Sequence, residues 1–241
     1  MEIYIIIAFL AILGGLIQGV SGFGAGIVVM SVLPYFLSVT SSAAVSSFMS
    51  VFLTAMMAYR YRKYINKNDL LLPALFFVVG GTIAIFFSTS IDTGFMKMIL
   101  GLFLLVLAVY FYFFSSKIKL KADIKTMFIC GFISGVCDGL FGVGGPLMVL
   151  FFLSLTSSKE EYLGTIQAFF FIVCAYNFIF RVYRGIFTID LLGFGIISVI
   201  AVFVGLQIGN KIVDKIDIEM TKKITYILIG VSGLITFITS L

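Results

Sequence analysis

Two hydrophobic stretches of this chain are interrupted by glycine and not by charge: "QGVSGFGAG" from Gln18 to Gly26, and "DGLFGVGGP" from Asp138 to Pro146. A chain break inside an apolar segment exposes backbone N–H and C=O groups that hydrocarbon cannot satisfy. It persists only where protein buries it or where it lines a wet cavity. Of the 241 residues, 61% are hydrophobic and 11% charged, where a soluble domain carries about a quarter charged; the mean hydropathy is +1.21. The chain reads as an all-α polytopic membrane protein whose surroundings are the lipid bilayer.

Apolar runs of spanning or near-spanning length fall at 3–20, 23–39, 43–59, 70–90, 95–115, 126–141, 143–156, 163–180, 188–210 and 224–240. The glycine-linked pairs (first with second, sixth with seventh) either cross fully or fold back as re-entrant hairpins, so eight to ten transmembrane segments are expected. No lysine or arginine precedes the first run, unlike a cleaved signal peptide, and this segment is expected to stay in the mature protein.

The two breaks correspond under a shift of 120 residues. Gly15, Gly19, Gly22 and Gly24 fall on Gly135, Gly139, Gly142 and Gly144, and Gln18 falls on Asp138; further on, Arg60 lies opposite Arg181, Asp69 opposite Asp190, and Ile91-Asp92 opposite Ile216-Asp217. This predicts two copies, 1–115 and 126–241, joined by the basic linker at 116–125, within a single transmembrane domain. Counting Lys and Arg on alternate sides places thirteen of the sixteen on one face, leaving Lys97, Arg181 and Arg184 on the other. The rich face is expected to be cytoplasmic, with both termini outside a cell (plasma or inner) membrane. Five segments per copy is an odd number, so the copies are expected to be inverted. The net charge of +5 lies in short loops and records topology, so no nucleic-acid partner is expected.

The residue inventory excludes most chemistry. Gly19-Val20-Ser21-Gly22 resembles an intramembrane serine-protease motif, but the chain has no histidine to take the serine proton, and no lysine falls in the interior of an apolar segment, Lys97 standing at the edge of its run. The glycines lack the Gly-Lys-Ser/Thr end of a nucleotide loop. Cys130, Cys137 and Cys174 show no metal or disulfide spacing and read as small buried hydrophobes. No enzyme activity, metal or cofactor is expected.

Glycines spaced by four allow close helix packing, whereas the tighter groups Gly22, Gly24, Gly26 and Gly142, Gly144, Gly145 favour breaks. Pro146 suits the first turn of a helix, so a half-helix is expected to start near Gly145, with a counterpart near Gly26. Two such N-termini facing a cavity suit an anion, and paired breaks in inverted copies mark a transporter's central site.

Two segments of the pattern G-x-x-x-G-x-x-G-x-G, one opening each half of a chain this long with several apolar spans, resemble the sulfite exporter TauE/SafE family. The resemblance covers the whole chain. The second copy, "GVCDGLFGVGGPLMVL", is the closer match, and Gly24-Ala25-Gly26 in the first departs modestly from consecutive glycines. The resemblance implies secondary transport of small anions, mainly sulfite, sulfonates and other organosulfur compounds. An anion channel on the same scaffold and a non-transporting assembly factor are the alternatives.

Asp138, the one carboxylate within a hydrophobic region and away from a segment edge, reads either as a proton carrier or as a buried cap on the break amides. Gln18, Ser21, Gln167 and Asn177 suit substrate oxygens, with Gln207 similar. Arg60 and Arg181 are expected near opposite edges of their segments, as anion guides at each mouth or as snorkelling side chains. Tyr59, Tyr61, Tyr64 and Tyr183 read as interfacial anchors.

Overall fold

The computed structural model describes residues 2–113, 120–121, 123–212, 230–231 and 233–239. Seven helices among them are long and apolar enough to cross a membrane: α1 (Glu2–Ser21), α3 (Val39–Arg60), α4 (Leu71–Ser88), α5 (Thr93–Phe113), α6 (Ile124–Phe141), α8 (Lys159–Tyr183) and α9 (Ile189–Ile212). At about 1.5 Å per residue they reach roughly 27–37 Å, sufficient for a hydrocarbon core of about 30 Å. Two helices are short: α2 (Ala25–Val32), continued by a 3-10 turn at Leu33–Tyr35, and α7 (Gly145–Leu155). Each covers only about half that thickness. Linker residues 116–119 and 122, and 224–229, 232 and 240 of the stretch 224–240, lie outside the described residues, as does the Ile216-Asp217 match; 233–238 is helical.

Local sequence fixes the helix starts. Ser38, Asp123 and Ser158 cap α3, α6 and α8 by accepting the backbone N–H of Ser41, Thr126 and Glu161. Glu161 in turn accepts the N–H of Ser157 at 3.0 Å, a reciprocal arrangement close to a capping box.

The chief helix pairs are α1 with α9, α4 with α6, and α3 with α8. The first two are glycine contacts. A Cβ on Gly15 would overlap the carbonyl of Val202, and one on Gly205 that of Ile12. Across the other pair, a Cβ on Gly135 would overlap the carbonyl of Phe77, and one on Gly80 that of Phe132. Helices approach this closely in membranes because small residues let backbone meet backbone. Gly135→Leu is accordingly expected to lower stability by about 3 kcal/mol or more, measured as the melting temperature in detergent.

Apolar side chains also face outward: Leu71, Leu75, Val79 and Ile83 form a stripe on α4, and Ile196, Ile200, Val204 and Ile208 one on α9. Such continuous apolar surface on a monomer marks contact with something other than water, here lipid. Helices α3 and α8 are the most enclosed of the seven and hold most of the buried polar groups. Cys130 and Cys174 are buried, Cys137 half-buried, and all three are free.

Candidate functional site

Both breaks are built alike. Helix α1 ends where the N–H of Gly22 bonds the carbonyl of Gln18 at 2.8 Å, and α6 where the N–H of Gly142 bonds that of Asp138 at 2.7 Å. Gly22 and Gly142 both take a left-handed conformation, φ 83° and 65°, which glycine adopts without the cost a side chain brings. The half-helices then begin at Ala25 and Gly145, with Pro146 in the first turn of α7.

The breaks converge. A Cβ on Gly26 would stand 2.7 Å from the carbonyl oxygen of Gly142. Beside this contact lies a cavity of about 400 Å³ including its mouth, lined from the first break by Gln18, Phe23, Gly24, Gly26 and Ile27, and from the second by Asp138, Gly142, Val143, Gly144 and Gly145. Helix α3 adds Ser50 and Thr54, and α8 adds Phe170 and Cys174. The first-turn N–H groups of a helix lack intrahelical acceptors, so the starts of α2 and α7 bring donors and the positive ends of two dipoles to one space.

Helix α8 supports both breaks from a single stripe. Gln167, Phe170, Cys174, Asn177 and Arg181 recur at steps of three and four, hence on one face. At the first break, Gln18 Nε2 donates to Gln167 Oε1 at 3.3 Å, Gln18 Oε1 accepts the N–H of Ala25 at 3.2 Å, and Gln167 Nε2 donates to the carbonyl of Gly22. At the second, Asn177 Nδ2 donates to Asp138 Oδ2 at 2.6 Å. Arg181 Nη2 donates to the carbonyls of Asp138 and Gly139 at 2.7 and 2.9 Å, a cation set against the negative end of α6.

The anticipated residues therefore divide. Gln18, Gly24, Gly26, Asp138, Gly142, Gly144 and Gly145 line the cavity, whereas Gln167 and Asn177 stand behind it and hold its walls. Ser21 is turned into its own loop, hydrogen-bonded to the carbonyls of Ile17 and Phe23, and Gly22 packs on Tyr162 and Leu163. Arg60 is exposed, over the ring of Tyr61 at 5.6 Å. Arg181 stands in the last turn of α8, near the segment edge as expected, but it is 0% exposed, because the C-terminal carbonyls of α6 draw the guanidinium inward. Gln207 is exposed on α9, away from the cavity.

Residue-by-residue reading missed Ser50, Thr54, Phe23, Phe170 and Cys174. The hydroxyls left a trace, since Ser46, Ser50 and Thr54 recur every four residues in an otherwise apolar helix. No comparable trace marks the others.

Neither a comparison with curated proteins nor one with solved structures gives a match. The family model described as Sulfite exporter TauE/SafE matches residues 7–236, nearly the full chain. With that match and seven helices able to span a bilayer, this multi-pass membrane protein belongs to the sulfite exporter TauE/SafE family, a family of membrane transporters for sulfur anions.

Proposed function

We propose that the protein is a secondary transporter that moves a small sulfur oxyanion, sulfite or an organosulfonate, by alternating access around the cavity between the glycine breaks, with Asp138 carrying the coupled proton. The observation that carries this reading is the convergence itself. Two half-helix N-termini, from opposite halves of the chain, line one cavity together with the carboxylate of Asp138. Irregular backbone at this depth is tolerated where it lines such a space.

The two halves act as inverted copies, 1–115 and 126–241, and the swapped packing supports this. Gly15 meets Val202 as Gly135 meets Phe77, and Gly205 meets Ile12 as Gly80 meets Phe132; each partner is the counterpart of the other under shifts of 120 and 125. The asymmetric Lys/Arg distribution supports a cell inner membrane location with both termini outside. Arg60 and the Lys-rich loops then face the cytoplasm.

The protein reconstituted in liposomes is expected to accumulate sulfite or ethanesulfonate above its external concentration when a pH difference is imposed. Equilibration without accumulation would instead identify a passive anion channel. A non-transporting assembly factor would show no rise in melting temperature with either anion, whereas a binding site is stabilised by mass action.

A second measurement addresses the cavity directly. With Cys130 and Cys137 replaced by alanine, Cys174 is expected to react with a small methanethiosulfonate reagent, and saturating ethanesulfonate is expected to slow the reaction about tenfold. Equal rates with and without the anion would place the binding site elsewhere.

A further inference from the structure

Among the described residues, only Asp138 and Arg181 are both charged and buried, at 7% and 0% exposure. They are neighbours without gripping one another by their charged ends. Arg181 holds the backbone carbonyls of Asp138 and Gly139 through Nη2, while its Nε and Nη1 make no hydrogen bond. The carboxylate turns the other way, to Asn177 Nδ2 and into the cavity wall. Arg181 is thus a fixed positive charge behind the cavity, and Asp138 a negative one on its surface.

A buried charge is costly unless an opposite charge compensates it. Nothing else nearby supplies one. Helices α4 and α7, packed on α6, contain no ionisable residue; α3 has only Tyr59 and Arg60, at the far end from Ala43, which packs on Gly142. Helix α8 presents Cys174 as well as Arg181, and α6 itself has Cys137 next to Asp138. The counterpart of Asp138 in the first break is Gln18, which is neutral and already engaged on both sides.

We infer that the cavity is a one-negative-charge site, in which the positive charge of Arg181 is balanced by the Asp138 carboxylate when empty and by the substrate when Asp138 is protonated. This rests on the transport reading above and specifies its substrate class and stoichiometry. Empty, the pair sums to zero. With one proton on the Asp138 carboxylate and one monovalent anion in the cavity, the sum is again zero, whereas a dianion leaves one uncompensated negative charge in a buried place. The substrate class is therefore monovalent oxyanions, such as a sulfonate or hydrogensulfite, each moving with one proton and no net charge. Arg181 acts on selectivity through charge and not through contact.

Ethanesulfonate and sulfate, fully ionised near neutral pH, serve as monovalent and divalent probes. The purified protein in liposomes is expected to take up ethanesulfonate under a pH gradient at a rate that an imposed potassium–valinomycin potential does not change. Its affinity, read by thermal shift, is expected to fall about tenfold per pH unit above the titration of Asp138, the slope of one linked proton, and sulfate is expected to bind at least tenfold more weakly. In Asp138→Asn the pH slope disappears and an inside-positive potential drives uptake. Arg181→Gln is expected to lose ethanesulfonate binding about 100-fold; should it not fold, Arg181→Lys, which keeps the charge, is expected to retain the slope. A surviving slope in Asp138→Asn, potential-driven uptake by the native protein, or equal affinity for the two anions would overturn the inference. Native protein that neither binds nor accumulates either anion would overturn the transport reading with it, whereas accumulation with an intact Asp138→Asn slope would sink the charge-balance inference alone.

Discussion

Gly26→Ala is expected to reduce transport about 100-fold, while Gly145→Ala leaves it within a few-fold of the native rate. Both residues line the cavity at the start of a half-helix, and both substitutions add one methyl group. In a helix, alanine is intrinsically favoured over glycine by about 1 kcal/mol, so local propensity predicts no harm at either. What differs is the space. The Cβ at position 26 would stand 2.7 Å from the carbonyl oxygen of Gly142, a backbone atom in the opposite break, whereas at 145 the nearest atoms are Phe170 Cζ and Phe23 Cβ, each at 3.7 Å. The first methyl pushes the two breaks apart; the second fits. The first half already has alanine at the position matching Gly145, Ala25. A displacement of about 1 Å in a positioned site costs on the order of 10²-fold. Initial uptake rates in liposomes check both, with far-UV circular dichroism and melting temperature to establish that each variant folds. Equal effects at 26 and 145 would remove the meeting of the breaks from the mechanism.

The same pair of residues illustrates what could be read ahead of the structure. Glycine clustering and Pro146 marked the breaks because these residues act through their own backbone conformation, and the half-helices do begin within a residue of the expected places. Spanning helices were equally legible, since bilayer thickness sets their length. Contacts across the bundle were not. Gln167, Asn177 and Arg181 were each noticed as polar residues in an apolar run, yet their service to opposite breaks from one face of α8 depends on how α8 crosses α1 and α6. The burial of Arg181 in the last turn of α8 was hidden for a related reason: counting residues from a segment edge assumes that the edge faces water. Here the neighbouring end of α6 offers carbonyls at 2.7 and 2.9 Å instead. Thr54 was missed because its hydroxyl bonds to the carbonyl of Ser50 in its own helix, as serine and threonine commonly do in apolar helices, so that its presence there did not itself demand a site.

Gln167→Leu provides the corresponding test of the walls, since its side chain does not line the cavity. The substitution nearly preserves volume but removes the donor to the Gly22 carbonyl and the acceptor for Gln18 Nε2. Each buried group left unpaired costs about 1–3 kcal/mol, and a loss of about 2–4 kcal/mol in stability is expected, with weaker anion binding following from the loosened break. Gln18→Leu is expected to cost a similar amount, because it orphans the Ala25 N–H and Gln167 Oε1. The double variant separates a connected network from two independent contacts. With both side chains apolar, no glutamine remains to be orphaned, so its loss should fall short of the sum of the single losses by about 0.5–3 kcal/mol. Additivity, measured from denaturant midpoints in detergent, would mean that Gln18 and Gln167 stabilise the first break separately. The short bridge from α1 through α8 to the start of α2 would then be a coincidence of packing and not a connected support for the first break.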